Sequence, residues 1–268
     1  MAGSGRTDSW GSGDAYEPYV GRWSRRVAER FLDWLAIAPG RRWLDVGCGT
    51  GAVSQTILER CAPERVIAVD PSDAYLAHAR GRLGDDRIEF RKGSAEALPA
   101  EDGTAAAVVS GLVLNFVPDQ AAALAEMRRA VEPGGTVAVY VWDYAGEMQL
   151  MRRFWDAAVA LDPAASELDE GRRFPVCRPD ALADLFTGAG FDDVETRPIQ
   201  IPTVFRDFDD YWTPFLGGQG PAPGYCVSLP EERRAELRER IRATLPTDPD
   251  GSIPLIARAW AARATAPR

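Results

Sequence analysis

Trp43-Leu44-Asp45-Val46 runs straight into Gly47-Cys48-Gly49-Thr50-Gly51, after which Val53, Ile57, Leu58 and Cys61 recur at helical spacing. The apolar period switches from that of a strand to that of a helix across three glycines, which predicts strand, tight glycine turn and helix in immediate succession. Glycine in such a turn lets a ligand come close to the backbone, and the helix that follows offers N–H groups with no intrahelical partner. The alternation then repeats, with predicted strands at Val66–Asp70, Ile88–Arg91, Ala105–Ser110 and Thr136–Trp142, and helices at Ser72–Leu83 and Asp119–Val131. Short β-branched or small-residue strands separated by helices imply an α/β chain with a mostly parallel sheet covered on both faces.

Two carboxylates decide which ligand the turn serves. Gly47, Gly49 and Ala52 also satisfy the loose fingerprint of nicotinamide-binding enzymes, so the glycines alone leave a dinucleotide open. Asp45 stands two positions before the first glycine, where it would repel a pyrophosphate and tolerate a ligand carrying an ammonium group. Asp70 ends the second predicted strand, the place from which an acidic side chain reaches two ribose hydroxyls. An N-cap of the next helix is the plainer role for Asp70, and Ser72 can fill it instead. No Tyr-x-x-x-Lys pair is present, since Lys92 is the one lysine in the chain.

The run Trp43–Gly51 resembles motif I of the class I S-adenosylmethionine-dependent methyltransferases, in particular the small-molecule branch that includes the ubiquinone/menaquinone-biosynthesis type. Val66-Ile67-Ala68-Val69-Asp70-Pro71-Ser72, Gly93-Ser94-Ala95-Glu96-Ala97-Leu98-Pro99 and Arg129-Ala130-Val131-Glu132-Pro133-Gly134-Gly135 extend the resemblance over roughly residues 16–142. It implies a Rossmann-like seven-stranded sheet whose last strand inserts antiparallel, with an N-terminal helical cap and an inserted lid. It implies S-adenosyl-L-methionine as cofactor and S-adenosyl-L-homocysteine as product. Gly47 and Gly49 would pass under the methionine and ribose, with Asp45 in the same cofactor-binding set, Asp70 in the segment with Pro71 would hold the ribose, and Ser94, Ala95 and Glu96 would edge the adenine. Ser110 completes the expected cofactor-binding set at the end of the fourth strand. Ser94 replaces the acid usual in the family. Tyr16-Glu17-Pro18-Tyr19-Val20-Gly21-Arg22-Trp23-Ser24 resembles the family's cap over the methionine end, which makes Tyr19 cofactor-binding and gives Arg22 a carboxylate to pair with.

Methyl transfer from a sulfonium is an in-line displacement, so alignment and exclusion of water matter more than covalent chemistry. The one histidine, His78, falls mid-helix, away from the strand ends where ligands bind. Asp143 and Tyr16 are the catalytic candidates, beside Asn115 and Tyr144 at the ends of strands four and five. After strand four the chain reads Ser110-Gly111-Leu112-Val113-Leu114-Asn115-Phe116, without the Asn/Asp-Pro-Pro-aromatic motif of enzymes that methylate base amines. The acidic pair of protein-arginine methyltransferases and the metal carboxylates of catechol-type enzymes are also missing, so no metal is expected. The expected acceptor is a small organic molecule methylated at oxygen, nitrogen or carbon. A nicotinamide-dependent oxidoreductase and a non-catalytic binder of the same cofactor are the competing readings.

Composition narrows the partners and the setting. With 46% hydrophobic and 26% charged residues the chain can build a core, and a net charge of −9 repels phosphate backbones, so no nucleic acid is expected. Cys48, Cys61, Cys177 and Cys226 lack metal-site spacing, and no apolar run approaches a membrane span, which reads as a cytoplasmic protein with reduced thiols. The expected organisation is a disordered tail at 1–15, a cap helix at 16–40, a cofactor-binding core at 41–142, a lid and acceptor segment at 143–190, and completion of the sheet at 191–268, all in one domain. Helices are expected at Met148–Leu161, Pro179–Phe186 and Pro230–Leu245, and late strands at Val194–Ile199 and Ile253–Ala262. Aromatic residues from Phe154 to Tyr225 form the lid's core or face a flat acceptor, and Gly217-Gly218-Gln219-Gly220 would let the lid move.

Overall fold

The computed structural model of the chain describes residues 17–218 and 220–268, so the expected tail, Tyr16 and Gln219 lie outside the described residues. The chain divides into two compact units. One comprises Gly21–Asp143, Pro175–Ile201 and Arg258–Arg268; the other comprises the described residues up to Val20, then Tyr144–Phe174 and Pro202–Ala257. Residues 175–201 thus go with the sheet-bearing unit.

In the first unit, helix α1 (Arg22–Leu35) turns Val27, Ala28, Phe31, Leu32 and Leu35 to the interior. Phe31 packs on Tyr140 of the sheet with ring centroids 4.8 Å apart. Ala36 ends the helix in a left-handed conformation, its N–H bonded to the Leu32 carbonyl, three residues ahead of Pro39. Strands β1 (Arg42–Val46), β2 (Arg65–Asp70), β3 (Ile88–Lys92), β4 (Ala105–Gly111) and β5 (Val131–Trp142) alternate with α2 (Ala52–Arg60), α3 (Asp73–Arg82) and α4 (Gln120–Ala130). The interiors of β1, β2 and β4 are almost continuously buried, as a sheet covered on both faces requires.

The seven strands lie in the order β3-β2-β1-β4-β5-β7-β6, where β6 is Asp192–Phe205 and β7 is Ile253–Thr265. Pairings among β1 to β5 are parallel, whereas β7 runs antiparallel to β5 from Thr136↔Thr265 to Trp142↔Ala259. The expected sheet, with its late strand inserted in reverse, is the one observed. Strand β5 begins five residues before the expected Thr136, because the Pro133–Gly135 stretch is spanned by a register shift between Ala105↔Val131 and Ala107↔Thr136. Helix α7 (Pro179–Gly188) follows the acidic region and has proline in its first turn.

The second unit is built on aromatic packing. Helix α5 (Gln149–Leu161) buries Phe154 and Trp155; Phe154 stacks on Phe215 at 4.5 Å, and Tyr19 meets Phe215 edge-on at 5.5 Å. The Tyr211 hydroxyl donates to the Leu150 carbonyl at 2.8 Å. Phe154, Phe205, Tyr211 and Phe215 are all fully buried, so these rings form a core and do not present a flat surface. The short helices α6 (Glu170–Arg173), α8 (Phe208–Trp212) and α9 (Pro221–Ser228) precede the charged α10 (Glu231–Thr244).

Candidate active site

The carboxyl ends of β1 and β4, adjacent at the centre of the sheet, mark the point where successive crossovers leave in opposite directions, the place where open α/β sheets generally bind ligands. The glycine turn lies at that point. The N–H groups of Gly47 and Cys48 both donate to the Val69 carbonyl, at 2.7 and 2.9 Å, which fastens the turn to the end of β2. Gly47 has φ +73°, and a Cβ there would stand 2.6 Å from both methyls of Val113. Gly49 has φ +52° and nothing within 4 Å of where its Cβ would be, so the open side of the turn is at Gly49.

Asp70 holds this turn. Its Oδ2 accepts the Gly49 N–H at 2.9 Å and its Oδ1 accepts the Ser72 N–H at 2.9 Å. Each carboxylate oxygen keeps a lone pair in reserve, which leaves two acceptor positions for a diol. Burial raises the Asp70 carboxyl above its ordinary range, and the two backbone hydrogen bonds oppose the rise. Ser72 caps α3, its Oγ accepting the Tyr75 N–H at 3.3 Å, so capping that helix does not account for Asp70.

The other residues singled out in the sequence divide into those tied to this arrangement and those occupied elsewhere. Gly93 donates to the Asp70 carbonyl at 3.2 Å, Ser94 bridges Ala97, and Glu96 Oε1 accepts the Asp119 N–H at 3.0 Å, so the half-buried Ser94-Ala95-Glu96 loop is bound both to Asp70 and to the start of α4. Pro71 is exposed beside Asp70. Asp45 is fully buried; its Oδ2 accepts the Ser54 hydroxyl at 2.6 Å, and its Oδ1 has no hydrogen-bond partner among the described residues. Burial pushes the Asp45 carboxyl up to about 7, against the Ser54 hydrogen bonds and with a further rise from the charge of Asp70. The Ser110 hydroxyl donates to the Val46 carbonyl at 2.8 Å and ties β4 to β1. Arg22 opens α1 with its guanidinium 4.5 Å from the Trp23 ring centre.

Asp143 is the catalytic candidate that the structure describes. It is buried and accepts from Arg258 Nη2 at 2.6 Å and Nε at 2.8 Å, while its own N–H donates to the Arg258 carbonyl at 2.9 Å. A carboxylate held this way anchors the end of β5 to β7. Asn115 lies just beyond β4 on the turn Leu114–Phe116; it is 5% exposed, and neither side-chain amide atom has a partner among the described residues. Leu112, three residues earlier, has φ +63°, a strained geometry for leucine that shapes this turn. Tyr19, in the second unit, is 1% exposed with an unpartnered hydroxyl. The sequence reading passed over Glu170, which is fully buried in that same unit.

Residues 44–139 match the family described as methyltransferase domain. Over 183 residues the chain is 34% identical to the ubiquinone/menaquinone biosynthesis C-methyltransferase of Methylobacterium nodulans, a match covering 60% of this chain and 71% of that protein. The chain belongs to the class I S-adenosylmethionine-dependent methyltransferases. An uncharacterised methyltransferase of Mycobacterium tuberculosis shares 29% identity over 226 residues, which is 81% of this methyltransferase and 79% of its relative. The fold matches phosphoethanolamine N-methyltransferase 2 of Haemonchus contortus, solved with S-adenosyl-L-methionine, at a TM-score of 0.60 and 18% identity, over 95% of this chain and 56% of that one. Among the described residues no helix is long and apolar enough to cross a membrane, and no group of three or more His, Cys, Asp or Glu is placed to hold a metal.

Proposed function

We propose that this methyltransferase moves the methyl group of S-adenosyl-L-methionine to a small organic acceptor, with binding, alignment and exclusion of water supplying most of the rate. The observation that carries the reading is the clamp from Asp70 to the Gly49 N–H, which fixes an open glycine turn and a carboxylate with spare acceptor capacity in one rigid arrangement. When bound, the cofactor supplies an electrophilic methyl carbon. In this reading Asp70 and Pro71 receive the ribose, the turn Gly47–Gly49 runs beneath the methionine and sugar, and Ser94, Ala95 and Glu96 edge the adenine. Arg22 and Tyr19 serve the methionine end. The relatives' names span ubiquinone/menaquinone biosynthesis and phosphoethanolamine methylation, which supports a small organic acceptor.

Proximity does most of this work, because holding two reactants in line is worth about 7–11 kcal/mol at best. Asp143, paired to Arg258, supports the strand end and takes no proton in this mechanism. Isothermal titration with S-adenosyl-L-methionine, S-adenosyl-L-homocysteine and NAD tests the reading. Binding of the first two and not of NAD is expected, and Asp70→Ala should weaken both by about 1–3 kcal/mol, the cost of leaving hydroxyls unpaired. Tight NAD binding without the sulfonium would reverse it, and binding without turnover of labelled methyl on any acceptor would leave a sensor in place of an enzyme.

A further inference from the structure

Residues 93–104 join β3 to β4 without a helix, although parallel strands are usually connected through one. Three successive carbonyls in this loop each accept from an arginine. Leu98 accepts from Arg129 Nη2 at 3.1 Å, Pro99 from Arg91 Nη1 at 2.6 Å, and Ala100 from Arg129 Nη1 at 2.8 Å. Arg129, at the end of α4, also donates through Nε and Nη2 to the two oxygens of Glu126, at 2.8 Å each, and through Nη1 to Asp102 at 2.6 Å. A guanidinium has five N–H groups, and these five bonds occupy all of them. Glu126 Oε2 in turn accepts the Leu98 N–H at 2.9 Å, so Leu98 is held at both of its backbone groups.

The clamp reaches Asp70 through Pro99. A Cβ on Gly93 would fall 2.5 Å from Pro99 Cδ and 3.2 Å from Val69 Cγ1, so Pro99 is pressed onto the glycine whose N–H bonds the Asp70 carbonyl. Ser94-Ala95-Glu96 thus projects from a neck made by Gly93 and Pro99, tied on one side to Asp70 and on the other to the two arginines. All of these residues belong to the same compact unit as the glycine turn. Resting on the reading that places S-adenosyl-L-methionine here with its adenine at Ser94–Glu96, we propose that Arg129, oriented by Glu126, is a positioning residue. It sets the affinity for the adenosine half of the cofactor and the preference for adenine over other purines. It acts through the carbonyls of Leu98 and Ala100 and takes no part in the displacement.

The loop offers the base little besides its backbone. Position 94 is serine, and Glu96 is turned to the Asp119 N–H at 3.0 Å, so recognition of the adenine amine falls to where the backbone of residues 94–96 is held. Arginine is the residue that this holding requires. A lysine has three donors on one nitrogen and cannot span the Leu98 and Ala100 carbonyls while also meeting both oxygens of Glu126. The Arg129 hydrogen bonds keep the Glu126 carboxyl below its ordinary range, against partial burial and with help from the Leu98 N–H, so the pair stays charged near neutrality. Arg128, next on the same helix, donates instead to the Ala189 carbonyl at 3.1 Å and has no part in the clamp.

The test uses the full chain and calorimetry with S-adenosyl-L-homocysteine and with S-inosyl-L-homocysteine, in which a carbonyl replaces the adenine amine. The wild type should prefer the adenine form about 10-fold or more, the worth of one recognised polar group. Arg129→Lys should weaken S-adenosyl-L-homocysteine about 10-fold and narrow that preference about 5-fold or more. Glu126→Gln, which keeps an acceptor for the Leu98 N–H and loses the charge that orients Arg129, should move both quantities the same way by a smaller factor. Hydrogen exchange at residues 93–104 should quicken in both variants, with β1 and α2 protected as in the wild type. Arg128→Ala should change neither affinity nor preference. A merely structural role would lower the folded fraction, and with it the stoichiometry, while leaving the preference intact; that result in Arg129→Lys would overturn the proposal. Should Arg129→Lys not fold, Glu126→Gln carries the test, and a wild-type preference there overturns it. A wild-type protein that binds both purines equally would overturn it too and spare the underlying reading, and failure to bind S-adenosyl-L-homocysteine would remove both.

Discussion

Alanine at Gly47 and at Gly49 should do different things, although the two glycines are two residues apart in one turn. Both have positive φ, so each alanine carries about 1–2 kcal/mol of left-handed strain. At Gly47 the new methyl also meets both Val113 methyls at 2.6 Å, which adds about 1–3 kcal/mol of overpacking. Gly47→Ala should therefore lose about 2–5 kcal/mol in urea unfolding. Val113→Ala should recover the steric part of that loss, with a coupling of about 0.5–3 kcal/mol in the double-mutant cycle. Gly49→Ala meets no protein atom, so its stability should fall by the strain alone, about 1–2 kcal/mol. Its methyl projects into the space assigned to the cofactor, and calorimetry with S-adenosyl-L-homocysteine should show binding at least about 10-fold weaker. If Gly49→Ala bound the product as tightly as the wild type, the open side of the turn would not be the cradle, and the placement of the ligand would be wrong.

Two further outcomes follow from the buried charges. Asp45 and Glu170 both have native carboxyl values raised to about 7 from ordinary values of 3.8 and 4.5. Between those limits the folded chain holds protons that the unfolded chain has released, so their contribution is fully present below about pH 4 and is lost as the pH rises through about 7. Each contributes a slope of up to about 1.4 kcal/mol per pH unit. Asp45→Asn and Glu170→Gln should each flatten the fall in urea-unfolding free energy between pH 4.5 and 8, and identical slopes in variants and wild type would contradict the assignment. Arg258→Ala should cost about 3–5 kcal/mol by stranding Asp143, whereas Asp143→Asn should lower turnover only as far as it lowers the folded fraction. A fully folded Asp143→Asn protein slowed about 100-fold would restore Asp143 as the base.

The part of the fold legible in the sequence is the part whose elements are local. From β1 to β5, strands of small and β-branched residues alternate with amphipathic helices, and each declares its own period within about ten residues. The clamp at Asp70 was half legible: an acid at the strand end is the sequence sign of a ribose site, but its bond to the Gly49 N–H depends on β2 lying beside β1. Helices α8 and α9 were hidden because they are short and rich in aromatic or proline residues; Asp207 starts the first by capping Asp210, and proline stands in the first turn of the second. The pairing of Asp143 with Arg258 was hidden because the two residues are 115 positions apart. Glu170 sits in Leu168-Asp169-Glu170-Gly171, which reads as an exposed acidic loop. Its burial is set by Arg152, which neutralises the neighbouring Asp169, and by a glycine that lets α6 close on Tyr144 and Ala145.

Strand β7 is made after β6 yet lies between β5 and β6. On a ribosome, β5 is finished at Trp142, and the strand that pairs with it does not begin until Ile253. At typical elongation speeds that interval lasts on the order of ten seconds, during which one edge of β5 has no native neighbour. The nascent chain must keep that edge from pairing with β6 or with another molecule, so the vulnerable moment in making this protein falls late in translation.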